Sequence, residues 1–414
     1  MRKLAVAAAG LFVLALSFFT PRDASAIPAF SRQTGMACNS CHFQHFPILN
    51  AFGRSFKAGG YTMTGSQSMV EGDFLSIPVD LNASLITKIR YQKRNGDSET
   101  GEEGELNKGS IQFPDEAALL IGGRAGNHVG FLLEASLKAD DDLFASFKIP
   151  FVFGAGENAY INIIPFTTDG FGPAYGLELL NTGAARHQRP LEHRTETSAQ
   201  QYIGTSTAAT GLTVAAAYPL WFANYTIWTN EHPAETDSSI SSGPFLHYGR
   251  VAFTPTFAGW DLGVGAQVWA GNEKNLESSV ITRKKAEAWA LDAQAQGSVG
   301  ALPVGVYITY ASAAKTSGSE ANIFNDSTDR DKSAFTVTGE VGVIPERVTV
   351  AASYRGGHTG AAGNDTDNAT TLGVVYTPIQ NMQLQLDSTW YSGEGGPTSA
   401  AGDNLTTLML FAAF

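Results

Sequence analysis

One stretch near the C-terminus decides the fold: residues 381–390 read Asn-Met-Gln-Leu-Gln-Leu-Asp-Ser-Thr-Trp. On an extended chain one face carries Met382, Leu384, Leu386 and Trp390, and the other carries Asn381, Gln383, Gln385, Asp387 and Thr389. Such alternation over about ten residues is typical of a transmembrane β-strand, with one face toward lipid and the other toward the lumen. A soluble β-sandwich alternates in the same way, so the prediction depends on how often the pattern recurs.

The alternation recurs along most of the chain, for example in residues 260–270, 289–296 and 302–310. Candidate strands begin near residues 77, 108, 128, 143, 157, 199, 211, 245, 259, 285, 302, 330, 346, 369, 381 and 403. The sequence therefore predicts an all-β fold, a transmembrane antiparallel β-barrel of about 16 strands, within a range of roughly 14 to 18. Pro114, Pro150 and Pro165 fall inside candidate strands, where proline removes a ladder hydrogen bond, so breaks or irregularities in the ladder are expected before residue 200.

The predicted connections alternate between short and long. Short ones lie at 124–127, 154–156, 210–211, 257–258, 299–301, 344–345 and 379–380. Longer, polar ones lie at 94–107, 168–198, 231–243, 271–284, 312–329, 357–368 and 393–402, with 141–142 as a short exception. Bacterial outer-membrane barrels have tight periplasmic turns and long external loops. The pattern and the even strand count thus predict an outer-membrane location with both termini on the periplasmic side.

The first residues read as an export signal. Arg2 and Lys3 precede an apolar run over 4–19, and Ala24-Ser25-Ala26 forms a small-residue cleavage pattern. This predicts a signal peptide over 1–26; a membrane anchor is the alternative, but the run is slightly short to span a bilayer. The mature chain would have 388 residues with 24 basic and 38 acidic side chains, a net charge of −14. That charge disfavours nucleic acid as a partner and favours cations.

The two cysteines of the chain form a motif with a histidine: Cys38-Asn39-Ser40-Cys41-His42. This is the C-x-x-C-H attachment signature of haem c, in which two thiols one helical turn apart add to the haem vinyl groups. The adjacent histidine then becomes the proximal ligand of the iron. A thiol redox centre would need a βαβ context, and a zinc site would need a second ligand pair; neither is visible in the sequence.

The residues after the motif predict a haem-packing helix over 47–57. Phe46, Leu49, Phe52 and Phe56 recur at helical spacing, Pro47 suits a first turn, and Gly59-Gly60 stop the helix. The four apolar side chains are therefore candidate haem contacts. Arg54 and Lys57 are candidates to pair with the haem propionates, although both also suit a solvent-facing position.

The sixth iron ligand is predicted to be Met63. His45 and Met36 lie so close to His42 in sequence that their side chains start on the proximal side of the macrocycle. Met63 and Met69 follow the Gly59-Gly60 break, where the chain can fold back over the other face. A methionine ligand would raise the potential relative to two histidines. An open or water-bound site is the alternative.

Residues 28–38, Pro-Ala-Phe-Ser-Arg-Gln-Thr-Gly-Met-Ala-Cys, together with 39–42 and 50–57, resemble the fused cytochrome–porin family of outer-membrane iron oxidases. The detailed match covers residues 28–61, and the rest agrees in architecture alone. The family's haem-attaching cysteines and proximal histidine fall on Cys38, Cys41 and His42. The resemblance implies a haem-bearing plug in or below the barrel, Fe(II) as electron donor, a periplasmic c-type cytochrome as acceptor and hence oxidoreductase activity. The expected organisation is a signal peptide (1–26), a monohaem segment (27–75) and a porin-like barrel (76–414).

Four functions follow from this organisation. The first is an electron conduit that oxidises extracellular Fe(II), helped by acidic loop residues that concentrate cations: Asp97, Glu99, Glu102, Glu103, Glu105, Asp326, Asp329 and Asp331. The second is the same conduit with another donor or the reverse direction. The third is a diffusion porin with a haem plug. The fourth is a soluble cytochrome fused to a β-sandwich, which the alternating loop lengths disfavour.

Overall fold

The computed structural model describes residues 28–65, 67–73, 75–95, 109–138, 143–233, 240, 243–277, 280–317, 320–395 and 404–414. These residues form a closed antiparallel β-barrel of 16 strands. The predicted fold class is confirmed, and the β-sandwich alternative is wrong. Among the described residues, no helix has the length and apolar character needed to cross a membrane.

Each barrel strand pairs with its sequence neighbours, and the last pairs with the first. Outside the barrel are the hairpin β1 (Met69–Gly72) and β2 (Leu75–Pro78), and a small sheet of β14 (Asn272–Glu277), β15 (Val280–Lys285) and β18 (Ala321–Asn322). The barrel consists of β3 (Ala83–Arg94), β4 (Ser110–Gly126), β5 (Val129–Ser136), β6 (Phe144–Lys148) with β7 (Phe151–Gly156), β8 (Ala159–Thr168), β9 (Ala209–Tyr218), β10 (Trp221–Thr229), β11 (Leu246–Phe253) with β12 (Thr256–Phe257), β13 (Trp260–Ala270), β16 (Ala288–Val299), β17 (Leu302–Ala313), β19 (Lys332–Ile344), β20 (Val348–His358), β21 (Asn368–Ile379), β22 (Met382–Ser392) and β23 (Asn404–Ala413).

The candidate prolines interrupt strands without opening the barrel. Pro150 separates β6 from β7, and both segments pair with the same neighbours, β5 and β8. Pro114 lies where the β3–β4 register shifts. Pro165 stays within β8, and its carbonyl accepts a hydrogen bond from the Ile149 amide at 3.1 Å. The missing proline N–H groups are thus placed at breaks and irregularities of the ladder.

Two predicted strand positions and one predicted turn are wrong. The candidate near residue 199 is a short helix, Ala199–Tyr202, and the turn expected at 210–211 lies inside β9. Gly211 is not a turn glycine: a Cβ there would lie 2.3 Å from the Ile227 carbonyl oxygen of β10, so the glycine permits close strand approach. The first barrel strand begins at Ala83 rather than near 77, because Leu75–Pro78 pairs with Met69–Gly72 instead.

The two faces of the barrel wall differ in chemistry as the alternation predicts. On β22, Leu386 and Trp390 are 45% and 43% exposed on the outer face, whereas Gln385 and Asp387 are buried on the inner face. Further exposed apolar residues on barrel strands include Ile161, Val214, Tyr225, Val251, Val264, Trp289, Leu291, Tyr354, Leu372 and Leu408. A wall that presents large apolar side chains outward around much of its circumference suits contact with lipid hydrocarbon.

Two segments fold into the lumen. One is the N-terminal segment, residues 28–61. The other is the connection between β8 and β9, residues 169–208, which we call the inward loop. It was expected to be a polar external loop, and that expectation is wrong: Leu180, Ala199 and Ile203 are fully buried against the inner wall. These two segments and the wall between them build the candidate site.

Candidate functional site

The N-terminal segment contains two short helices around the cysteine motif. Helix α1 (Ala29–Thr34) ends at Gly35, whose left-handed φ of 70° suits glycine, and helix α2 (Ala51–Ala58) follows the motif. The predicted start at Pro47 is wrong, because Asn50 caps α2: its side chain accepts a hydrogen bond from the Gly53 amide at 2.9 Å. The helix ends at Gly59, where the sequence predicts.

The N-terminal segment is anchored at one end of the barrel. We call this the short-turn end, since it carries the tight turns near 127, 158, 219, 258, 300, 346 and 380. The Cys38 amide donates to the Gln380 side chain at 2.8 Å, and the Asn39 side chain donates to Glu346 at 2.7 Å. The cysteine motif is therefore fixed directly to two of these turns.

Two ion pairs also hold the segment. Arg54 pairs with Asp261, the second residue of β13, and also donates to Gln296 at 3.3 Å. His45 lies 3.1 Å from the Glu340 carboxylate. Burial lowers the pKa of His45, but Glu340 more than offsets this and raises it above its ordinary value. Arg54 is thus engaged by the barrel wall, whereas Lys57 forms no such ion pair among the described residues.

The motif itself forms a tight turn. The amides of Cys41 and His42 both donate to the Cys38 carbonyl, at 3.1 and 3.0 Å. The Nδ1 atom of His42 lies 3.2 Å from the Ile48 carbonyl oxygen. Donation of this hydrogen bond fixes the proton on Nδ1 and leaves the Nε2 lone pair for a metal, as the outer contacts of metal-binding histidines commonly do.

The thiols do not have the environment of a redox-active pair. Cys38 and Cys41 form no disulfide. Burial raises the pKa of Cys38, and burial together with the nearby Cys38 raises that of Cys41 to about 11. Reactive thiols have the opposite shift, because a neighbouring positive charge or helix N-terminus stabilises their thiolate. Within the described part of the chain, no group of three or more His, Cys, Asp or Glu side chains is arranged to hold a metal ion.

A cavity of about 860 Å³ opens beside the motif. Cys38, Cys41 and His42 line one side, and the inward loop lines another. The inner faces of β3, β4, β5, β22 and β23 complete the wall. We call this space the luminal cavity. Its volume lies within the range of roughly 300–1,000 Å³ that cofactor pockets occupy.

The candidate haem contacts divide between the luminal cavity and its surroundings. Phe46, Leu49 and Phe56 line the cavity. Phe46 also stacks on Phe411 of the wall, with ring centroids 4.9 Å apart. Phe52 does not line the cavity: it lies in the first turn of α2, and 38% of it is exposed to solvent.

Met63 does not line the luminal cavity either. Tyr61 still lines the cavity. The Gln33 side chain donates to the carbonyl oxygens of Tyr61 and Met63 at 2.6 and 2.7 Å, and so holds the chain after Tyr61 against α1. Met36, His187 and His193 do line it. The structure therefore does not support Met63 as the distal ligand.

The inward loop docks directly on the N-terminal segment. The Asn181 side chain accepts from the Leu49 amide and donates to the Leu49 carbonyl, both at 2.8 Å. Lys57 donates to Gln188 at 2.6 Å. Sequence reasoning missed these residues because their loop was assigned to the exterior. The available signal was composition: Leu177, Leu179, Leu180, Ala184 and Ala185 form an apolar content that an external loop does not need.

An ion pair between His193 and Asp387 joins the inward loop to β22. Burial lowers the pKa of His193, but Asp387 and Glu196 more than offset this and raise it to about 9. A raised histidine pKa stabilises the folded form fully below the ordinary value of 6.5, and that contribution is lost as the pH rises through about 9. We expect the inward loop to become more susceptible to protease between these pH values.

Limited proteolysis of the detergent-solubilised barrel across this pH range measures the effect. A His193→Gln variant keeps a polar side chain that does not titrate, so its cleavage should not increase over the same window. An equal increase in both proteins would show that another group controls the loop.

The acidic residues proposed to attract cations are described only in part. Asp97, Glu99, Glu102, Glu103 and Glu105 lie outside the described residues. The side chain of Asp331 accepts from the Lys315 amide at 3.0 Å, which is an ordinary loop contact. A specific iron site on these loops stays a prediction.

Comparison with known proteins identifies the fold alone. The chain is similar to a loop-deletion mutant of OmpT, an outer membrane protein of Vibrio cholerae, with 11% identity, a TM-score of 0.50, and coverage of 81% of this chain and 99% of that chain. It is also similar to OprB of Pseudomonas putida, with 9% identity, a TM-score of 0.55, and coverage of 83% and 94%. No protein-family model and no curated protein matches the sequence.

Proposed function

We propose that this chain is an outer-membrane barrel that holds one covalently attached haem c in its lumen and transfers electrons across the membrane. The observation that carries the proposal is the position of Cys38, Cys41 and His42, which together face the luminal cavity. A soluble cytochrome would not account for the barrel, and a diffusion porin would not account for the cysteine–histidine motif. Their combination would hold a redox cofactor within a barrel that crosses an otherwise insulating layer of hydrocarbon.

The residues present fit a haem c. Cys38 and Cys41 would form the two thioether bonds, and His42 has Nε2 free because Nδ1 faces the Ile48 carbonyl. Phe46, Leu49 and Phe56 line the cavity and would supply apolar contacts to the macrocycle. When bound, the haem supplies one-electron transfer, at a potential that axial ligation and burial set. The chain's own role is to hold the cofactor at a fixed position and to seal the lumen around it.

The outward apolar wall supports the membrane location, since such a surface is stable in lipid and not in water. The tight turns of the short-turn end are typical of the periplasmic side of an outer-membrane barrel. The cysteine motif is hydrogen-bonded to two of those turns. A periplasmic c-type cytochrome is the proposed acceptor there. Fe(II) is the proposed donor, on the resemblance of residues 28–61 to outer-membrane iron oxidases, and an acidic mature chain suits a cationic donor.

The test mixes outer membranes containing the oxidised protein with Fe(II) in the absence of oxygen, while haem absorption is recorded. We expect rapid appearance of the ferrous c-type spectrum, and no such signal from a Cys38→Ala variant. A haem that dithionite reduces but Fe(II) does not would overturn the donor assignment and leave the conduit. Absence of covalent haem from the intact protein would overturn the proposal as a whole.

A haem-plugged diffusion porin is the second candidate. The inner wall carries polar side chains of the kind that line porin lumens, such as Thr213, Asn224, Gln294, Thr338 and Thr371. The luminal cavity shows that the inward loop leaves part of the lumen unfilled. Planar-bilayer conductance separates the two functions. A conduit sealed by the N-terminal segment and the inward loop should conduct little, whereas a porin should show stable open channels.

A further inference from the structure

The luminal cavity carries cations of two kinds. Most are paired with carboxylates: Lys88 with Glu116 at 2.7 Å, Arg90 with Asp115 at 2.6 Å, and Arg189 with Glu192 at 2.8 Å. Two others, Lys57 and Arg186, also line the cavity but form no ion pair with a carboxylate of the described residues. Carboxylates of the wall and the inward loop thus pair with some of these cations, whereas the buried Lys57 and the half-buried Arg186 have no such partner among the described residues.

The residues around Lys57 and Arg186 do not supply a carboxylate that bonds either positive charge. Lys57 is 7% exposed and donates to the neutral side chain of Gln188. The carboxylate of Glu178 acts on it through space, but that carboxylate is bonded to Arg250. Arg186 lies over the Phe171 ring, 5.9 Å from its centroid. Burial lowers the pKa of Lys57 to about 8, because Glu178 offsets only part of the cost of burying its charge.

A buried cation without an anion costs free energy that a bound anionic group recovers. Lys57 comes from α2 and Arg186 from the inward loop, so the two approach the cavity from different segments. Two separate cations facing one cavity suit a ligand with two carboxylates. Amine and guanidinium groups are also the usual partners of carboxylates in buried sites.

We propose that Lys57 and Arg186 bind the two propionate carboxylates of the haem. This inference rests on the proposed function, and it gives the inward loop a direct role in holding the cofactor. The same chemistry would accept a free dicarboxylate that enters the lumen. The experiment therefore has to separate a dicarboxylate fixed on the haem from one in solution.

The test uses the haem-loaded full-length protein and the variants Lys57→Gln and Arg186→Gln. Their haem midpoint potentials are measured by spectroscopic titration from acid to alkaline pH. A nearby cation favours the ferrous form and keeps propionates ionised. Each variant should therefore have a lower potential than the parent, with a propionate titration shifted upward in pH, and the double variant should show the larger shift.

Lys88→Gln is the matched control, since Lys88 lines the same cavity but is paired with Glu116. It should leave the propionate titration in place. Titration calorimetry of the loaded parent with succinate tests the alternative source. Unchanged potential curves in both variants, or succinate binding that Arg186→Gln abolishes, would overturn the assignment. Neither result would remove the haem, so the proposed function would stand; a parent without covalent haem would instead contradict that function.

Discussion

Replacing Arg250 with methionine should destabilise the protein by about 3–5 kcal/mol, the usual cost of removing one partner from a buried charge cluster. Arg250 lies on β11 and points into the lumen, where its guanidinium bonds Glu178 of the inward loop at 3.0 and 3.2 Å and Asp292 of β16 at 2.6 and 2.8 Å. All three side chains are fully buried. The substitution would leave two carboxylates in the lumen without their cation.

The loss should appear first in the inward loop. Glu178 also accepts from the amides of Leu179 and Leu180, at 3.0 and 2.8 Å, so its carboxylate organises the turn that precedes Asn181. Urea unfolding in detergent measures the free energy of unfolding, and limited proteolysis reports on the loop. We expect cleavage within residues 169–208 at urea concentrations that leave the strands intact.

Two further variants test the cause. A triple variant, Arg250→Met with Glu178→Gln and Asp292→Asn, removes both orphaned charges and should recover most of the lost stability. Arg283→Met removes a cation whose side chain is 58% exposed, near Glu320 at 3.6 Å, and should change stability by less than about 1 kcal/mol. A triple variant as unstable as the single one would show that packing of the arginine, rather than its charge, matters.

The barrel was predictable because strand alternation is a local property with a physical cause. Gln385 and Asp387 alternate with Leu384 and Leu386 because one face of the strand contacts lipid and the other faces the lumen. The residues of a single strand are enough to show this alternation. Gly211 was misread for the converse reason. It looks like a turn residue in sequence, and only the position of Ile227 on the next strand reveals why it has no side chain.

The sequence could predict only the part of the candidate site whose residues are close together in the chain. The spacing of Cys38, Cys41 and His42 is set by one helical turn, so the motif can be recognised from the sequence. The opposite side of the luminal cavity is supplied by Arg186 and neighbouring residues more than a hundred positions away. Their location depends on a loop folding inward, which buried contacts such as Asn181 with Leu49 determine. No periodicity encodes such contacts, so the preference for Met63 over His45 and Met36 rested on sequence position alone.

Replacing Gly53 with alanine should reduce covalent haem attachment several-fold. Gly53 lies in the first turn of α2, and a Cβ there would lie 2.1 Å from the Cys41 carbonyl oxygen and 3.2 Å from its Cα. These are backbone atoms, which cannot move aside by changing rotamer. The helix also depends on this contact, because the Asn50 amide donates to the same carbonyl at 2.9 Å. An alanine must therefore push α2 away from the motif and displace Phe56 from the luminal cavity.

Helix propensity alone predicts that Gly53→Ala stabilises the protein, so the experiment distinguishes propensity from the packing of α2 on the motif. Alanine in place of glycine in a helix is favourable by up to about 1 kcal/mol, whereas forcing an extra methyl into a packed contact costs about 1–3 kcal/mol. The ratio of haem-linked peroxidase stain to barrel protein on a denaturing gel measures attachment. Ser55→Ala, in the same helix and with no comparable contact among the described residues, should match the parent. If Gly53→Ala retains the parent's haem ratio and is more stable, α2 does not pack on the cysteine motif as the structure describes, and the luminal cavity must be formed by a different arrangement of the N-terminal segment.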